Sequence, residues 1–282
     1  MSDHGALVSD EVAGVPYVAL PPAGWKDDQE PARLIIAWHL NDPPRSAAAM
    51  AAALPLAGVP AWRVYLDLPM HGRRQLPGGQ EEFLRLGYQD AVLQVFEPQV
   101  EQAVAEFPAV LEGLRARLPV VDGPIGVAGA SVGALPALLV TASGLAEVSA
   151  AALISPVIQL AETVAANERR FGARYPWSDA SRLVAARCDF VARATEIAAH
   201  EPQPAILLVT GSEDDPAFPL QAQRLQQELH RRYRDRERVG LLSVPGMGHA
   251  FAVEPGTEPA PQTPEAEFVD MAASGWFRRY LG

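Results

Sequence analysis

Residues 123–144 read GPIGVAGASVGALPALLVTASG, and one local structure fits them from end to end. Pro124–Ala130 is a short apolar run with the length of a buried strand. Gly129-Ala130-Ser131-Val132-Gly133 is a turn of small residues, and ALPALLVTAS after it has the length and composition of a buried helix. G-x-S-x-G between a strand and a helix is the setting of a nucleophile elbow, in which a sharp turn lifts the serine hydroxyl clear of the sheet. Glycines suit positions where backbone crowds backbone, and the helix N-terminus adds free N–H groups and the positive end of a dipole. Pro136 is tolerated because the first helical turn needs no N–H donor. Gly123 to Ala146 holds no charged residue, but Pro124, Ser131, Pro136 and the spaced glycines argue against a membrane span.

Outward from the elbow, β-rich runs alternate with helical patterns, which predicts an α/β fold with a mostly parallel sheet. The expected strands are Tyr17–Leu20, Arg33–His39, Trp62–Leu68, Pro124–Ala130, Ala151–Val157, Ala205–Thr210 and Val239–Val244. Runs such as LIIAW and AILLV are apolar throughout, as in strands covered on both faces. Phe96, Val100, Ala103, Phe107, Leu111, Leu114 and Leu118 recur at helical spacing, with Pro108 expected to kink or divide the helix. Leu225, Leu229 and Tyr233 predict another helix, and Phe268, Met271, Gly275 and Trp276 a last one. The interval Gln159–His200 exceeds one crossover helix and reads as a helical insertion, with Ser178 as a cap.

A serine nucleophile needs a base, and the base needs an orienting acid. His249 lies in VPGMGHAF just after the last expected strand, and Asp214 lies in GSEDDPAFP after the strand before it. The order Ser131, Asp214, His249 is that of one hydrolase class and differs from the chymotrypsin and subtilisin orders.

Composition narrows the partners. The chain has 282 residues, 49% of them apolar and 20% charged, which suits a globular domain with a substantial core. Its formal net charge of −11 argues against nucleic acid or an anionic membrane as a partner. One cysteine, Cys188, allows no internal disulfide and no cysteine-based zinc site, and is compatible with a reducing compartment. Residues 1–14 lack the basic and apolar regions of a signal peptide, so the expected location is cytoplasmic.

With these residues in place, the sequence resembles the α/β-hydrolase superfamily from about residue 15 onward. GASVG resembles the elbow, GSEDDPAFP the G-x-x-D loop, and GMGHAF the turn around the catalytic histidine. DLPMHGRR at 67–74 resembles the segment after the fourth strand, and RLIIAWHL at 33–40 the third strand with its terminal histidine. Leu40 and Met70 depart from the pattern, since each stands where the family carries glycine. The resemblance selects Asp214 over Glu213 and Asp215. It implies an oxyanion hole of two backbone N–H groups, from Val132 and Asn41, with Leu40 as the fallback donor. His39 and His71 are expected to shape loops, and Met70 to narrow the entrance. The implied architecture is a single α/β-hydrolase domain over residues 1–282 with a short helical cap at 158–202. The implied activity is serine hydrolysis of small acyl esters, with a small-molecule substrate and no metal or other cofactor. Thioesterase, peptidase or C–C bond hydrolase action shares the triad, and a non-catalytic binding protein on the same scaffold is the different-class alternative.

Overall fold

The computed structural model describes residues 7–26 and 30–282. The leader reading of residues 1–14 therefore falls partly outside the described residues. The strands are β1 (Val8–Val12), β2 (Val15–Leu20), β3 (Arg33–Trp38), β4 (Ala61–Leu66), β5 (Ile125–Ala130), β6 (Val148–Ile154), β7 (Ala205–Gly211) and β8 (Val239–Val244). They form one sheet in the order β1-β2-β4-β3-β5-β6-β7-β8. β1, β2 and β4 pair antiparallel, and the pairs from β4–β3 through β7–β8 are parallel. This is the α/β-hydrolase fold.

The apolar strands explain the layering. In β3, Leu34, Ile36 and Trp38 enter one core while Ile35 and Ala37 enter the other. β7 divides likewise, with Ile206 and Leu208 on one face and Leu207 and Val209 on the other. Two helices cover the second core, α1 (Ala47–Ala53) and the last helix, Pro264–Tyr280. The first core packs beneath α3 (Glu97–Arg117), α4 (Ala134–Ser143) and helices of the later segments. Between β4 and α3 lie α2 (Gly79–Ala91) and a π-helical turn at Val92–Phe96. The stretch between β6 and β7 carries α5 (Leu160–Phe171), α6 (Asp179–Arg187) and α7 (Ala194–Ala198); α8 (Ala217–His230) follows β7, and α9 is the last helix. No helix among the described residues is long and apolar enough to cross a membrane.

Four differences from the expected elements have physical reasons. β1 was not expected because VSDEV is acidic and mostly exposed; it is an edge strand held by a tight hairpin in which Ala13 and Gly14 both have positive φ. β6 starts and ends three residues early, because Ser155 turns into the left-handed region and Pro156 follows. α3 is not divided at Pro108, which lies on the solvent side, where a freed carbonyl meets water. α9 forms as expected but buries Ala266, Val269, Ala273 and Phe277, while Phe268 and Met271 face solvent.

The functional candidates gather at one edge. Ser131 follows β5, Asp214 follows β7, His249 follows β8 and Asn41 follows β3. These are the carboxyl ends of parallel strands, where open α/β sheets bind ligands.

Candidate active site

Ser131 occupies the elbow with a φ of 47°, a left-handed conformation that costs a residue with a Cβ about 1–3 kcal/mol. The surrounding backbone enforces it. A Cβ on Gly129 would lie 2.3 Å from the Gly133 carbonyl oxygen, and one on Gly133 would lie 2.4 Å from that of His39. The two glycines therefore let the strand, the turn and the loop after β3 stack without side chains between them.

The three candidates meet. Ser131 Oγ lies 2.8 Å from His249 Nε2. His249 Nδ1 lies 2.9 Å from Asp214 Oδ2 and 3.1 Å from Oδ1. Facing a carboxylate, Nδ1 carries the hydrogen, which leaves the Nε2 lone pair for the serine O–H. The Asp214 side chain is 1% exposed and also accepts the Asp215 N–H. The Phe218 ring packs against that of His249, with centroids 4.2 Å apart and the planes tilted by 44°. Glu213 and Asp215 take no part in this relay: Asp215 accepts the Ala217 N–H at the start of α8 and pairs with Arg169.

The loop after β3 faces the serine. The Leu40 N–H donates to the Pro44 carbonyl and the Leu40 side chain is fully buried, so Leu40 does not serve as the fallback donor. No hydrogen bond among the described residues engages the Asn41 N–H, and Asn41 and Val132 both line the cleft. The loop is tied to the chain beyond His249. Phe251 N–H donates to Pro43, Arg45 N–H donates to Gly256, and the Arg45 guanidinium pairs with Glu254 at 3.0 Å.

His39 and His71 shape this wall from behind. His39 Nδ1–H donates to Leu40 and its Nε2 accepts the Leu68 N–H, so both ring nitrogens are engaged by backbone. Met70 does not line the cleft and so does not narrow the entrance; its φ of 69° is the reason glycine is the usual residue there. Burial pushes His39 down to about 4, and burial with the neighbouring His39 ring pushes His71 down to about 3, from an ordinary 6.5. Both rings are neutral in the folded chain, whereas the unfolded chain protonates them below 6.5. Unfolding therefore takes up protons between about pH 6.5 and 4, and stability falls with acid by up to about 1.4 kcal/mol per pH unit per histidine. Urea unfolding between pH 7.5 and 5 should show this decline, and His71→Gln should reduce its slope by about half, His39 supplying the rest.

The cleft encloses about 830 Å³. Phe83, Val95, Phe96, Val164 and Phe218 give it apolar walls beside Ser131 and His249. Two segments build those walls. One is α5 with the loop after it, from the insertion expected between β6 and β7; Ser178 caps α6 as expected, accepting the Ser181 N–H. The other is α2 with its π turn, which the sequence reading did not single out; its Phe83, Leu84, Gly87 and Tyr88 recur at helical spacing but face the cleft rather than the core. The segments touch where the Tyr175 hydroxyl donates to the Asp90 carboxylate.

Comparison with known proteins bears on the fold and the family. No curated protein sequence matches the chain. Among solved structures, the Thermus thermophilus protein TT1662 superposes with a TM-score of 0.64 at 17% identity, covering 97% of this chain and 98% of that one. A thermophilic esterase from the planctomycete Thermogutta terrifontis, solved with propionate bound, gives 0.63 at 17% identity over 99% and 96%. A puromycin-hydrolyzing peptidase of Mycobacterium tuberculosis gives 0.63 at 15% identity over 98% of this chain and 39% of that one. A profile of the prolyl oligopeptidase family matches residues 100–274, the span that contains Ser131, Asp214 and His249. The chain is an α/β-hydrolase that belongs to the prolyl oligopeptidase family.

Proposed function

We propose that this serine hydrolase is a carboxylesterase working through an acyl-enzyme. The observation that carries the reading is the continuous relay from Ser131 through His249 to Asp214, opening on a largely apolar cleft. His249 Nε2 takes the proton of Ser131 as Oγ attacks the ester carbonyl. The tetrahedral oxyanion rests on the N–H groups of Val132 and Asn41. Asp214 holds the ring in the required tautomer and stabilises its charged form. The imidazolium gives its proton to the leaving alcohol. Water, deprotonated by the same histidine, then releases the acid.

The cleft bears on the substrate. About 830 Å³ falls within the range that holds a drug-sized ligand and exceeds what a short acyl ester fills. We therefore expect an extended, largely apolar ester with its small group on one side of the bond at most. A second reading, peptide hydrolysis, is favoured by the family match.

Turnover of p-nitrophenyl esters from acetate to dodecanoate, beside prolyl and other aminoacyl p-nitroanilides, separates the two. The ester reading expects turnover of esters by the wild type, none above background by Ser131→Ala, and anilides slower by at least about 10². Anilides cleaved as fast as the best ester would establish the peptidase reading instead.

A further inference from the structure

Behind the oxyanion loop lies an amide pair that no motif demands. Asn41 Nδ2 donates to Gln99 Oε1 at 3.1 Å, and Gln99 Nε2 donates back to Asn41 Oδ1 at 2.9 Å. Gln99 is fully buried. Its Nε2 also lies 3.2 Å from the Pro69 carbonyl and 3.2 Å from His71 Nδ1, so one side chain joins the loop after β3 to the loop after β4. Gln99 stands in the first turn of α3, just beyond the π turn whose Val95 and Phe96 line the cleft. Of the groups it holds, Asn41 reaches the cleft.

The geometry points to Gln99 as a positioning residue that aims the Asn41 N–H at the oxyanion, acting through the Asn41 side chain and touching no substrate. This rests on the acyl-transfer reading above. The Leu40 N–H is engaged with Pro44, so a displaced Asn41 has no neighbouring donor to replace it. The Asn41 backbone is held from one side by that turn and from the other by the amide pair. Losing the pair lets the donor wander without removing it, and a misplacement of about 1 Å costs roughly 10²-fold in rate. Complete loss of an oxyanion donor costs about 10²–10³-fold.

Gln99→Met and Asn41→Ala, alone and together, test this with the best p-nitrophenyl ester. Each single change should lower kcat by about 10- to 100-fold with KM nearly unchanged. The double variant should be no worse than either single, because each removes the same pair. Affinity for an aryl boronic acid, whose tetrahedral adduct on Ser131 places a hydroxyl in the hole, should fall by the same factor as kcat. A merely structural role would not link those two numbers. Wild-type kcat in either single variant, losses that multiply in the double, or unchanged boronate affinity would overturn the inference. If Gln99→Met does not fold, Asn41→Ala decides through kcat and boronate affinity, since it alters a half-buried loop residue and keeps the backbone N–H. Ser131→Ala runs beside them. Activity surviving in Ser131→Ala sinks the acyl-transfer reading and this inference with it. A dead Ser131→Ala beside fully active Gln99→Met and Asn41→Ala sinks this inference alone.

Discussion

Ser131→Ala should lower kcat by about 10⁵–10⁶-fold while the protein stays folded and still binds ester. The side chain removed is one oxygen, and that oxygen is the atom 2.8 Å from His249 Nε2. Without it no acyl-enzyme forms, and what remains is the cleft with its oxyanion donors acting on water. The backbone of the elbow does not depend on the hydroxyl. Its shape is set by the contacts of Gly129 and Gly133 with neighbouring carbonyls, and by the Val157 N–H bonded to the Ser131 carbonyl. The thermal midpoint should therefore stay near that of the wild type, or rise. Residual activity within tenfold of the wild type would mean that another group attacks the substrate.

Asp214→Asn should cost about 10⁴-fold in kcat with little change in KM. The carboxylate is almost wholly buried and accepts the His249 Nδ1–H with both oxygens. An amide of the same shape keeps the packing but presents a donor to Nδ1. The ring then favours the tautomer with its hydrogen on Nε2, where it cannot take the serine proton. The neighbouring carboxylates provide the control. Glu213→Gln alters an exposed side chain outside the relay and should stay within a few-fold of the wild type. Asp215→Asn removes the charge that pairs with Arg169 but keeps an oxygen for the Ala217 N–H, so it too should leave kcat and its pH profile near those of the wild type. A larger loss at Glu213 or Asp215 than at Asp214 would reassign the acid.

The juxtaposition of Ser131, Asp214 and His249 was legible because each sits in a short local pattern at a strand end, and sheet order places those ends side by side. β3 and β7 were legible because strands covered on both faces must be apolar at every position. α2 was not singled out, although Phe83, Leu84, Gly87 and Tyr88 recur at helical spacing; that face lines the cleft, and only the fold shows where it lies. α9 was legible as a helix from Phe268, Met271, Gly275 and Trp276, while its buried face, made by Ala266, Val269, Ala273 and Phe277, shows only in the structure. Leu40 and Met70 broke the family pattern in sequence without breaking the structure. Leu40 fills the core behind the loop, and Met70 accepts the left-handed turn that glycine adopts at lower cost. Gln99 carried no signal, because its partner Asn41 lies 58 positions away and only the fold brings them together.

The central claim is that Ser131 is the nucleophile of an acyl-transfer relay. Treatment with a fluorophosphonate, followed by intact mass and peptide mapping, tests it most directly. The account predicts one adduct per chain, located on Ser131, formed far more slowly in His249→Ala and absent from Ser131→Ala. An adduct on another residue, or a folded wild-type chain that takes up none, would contradict it.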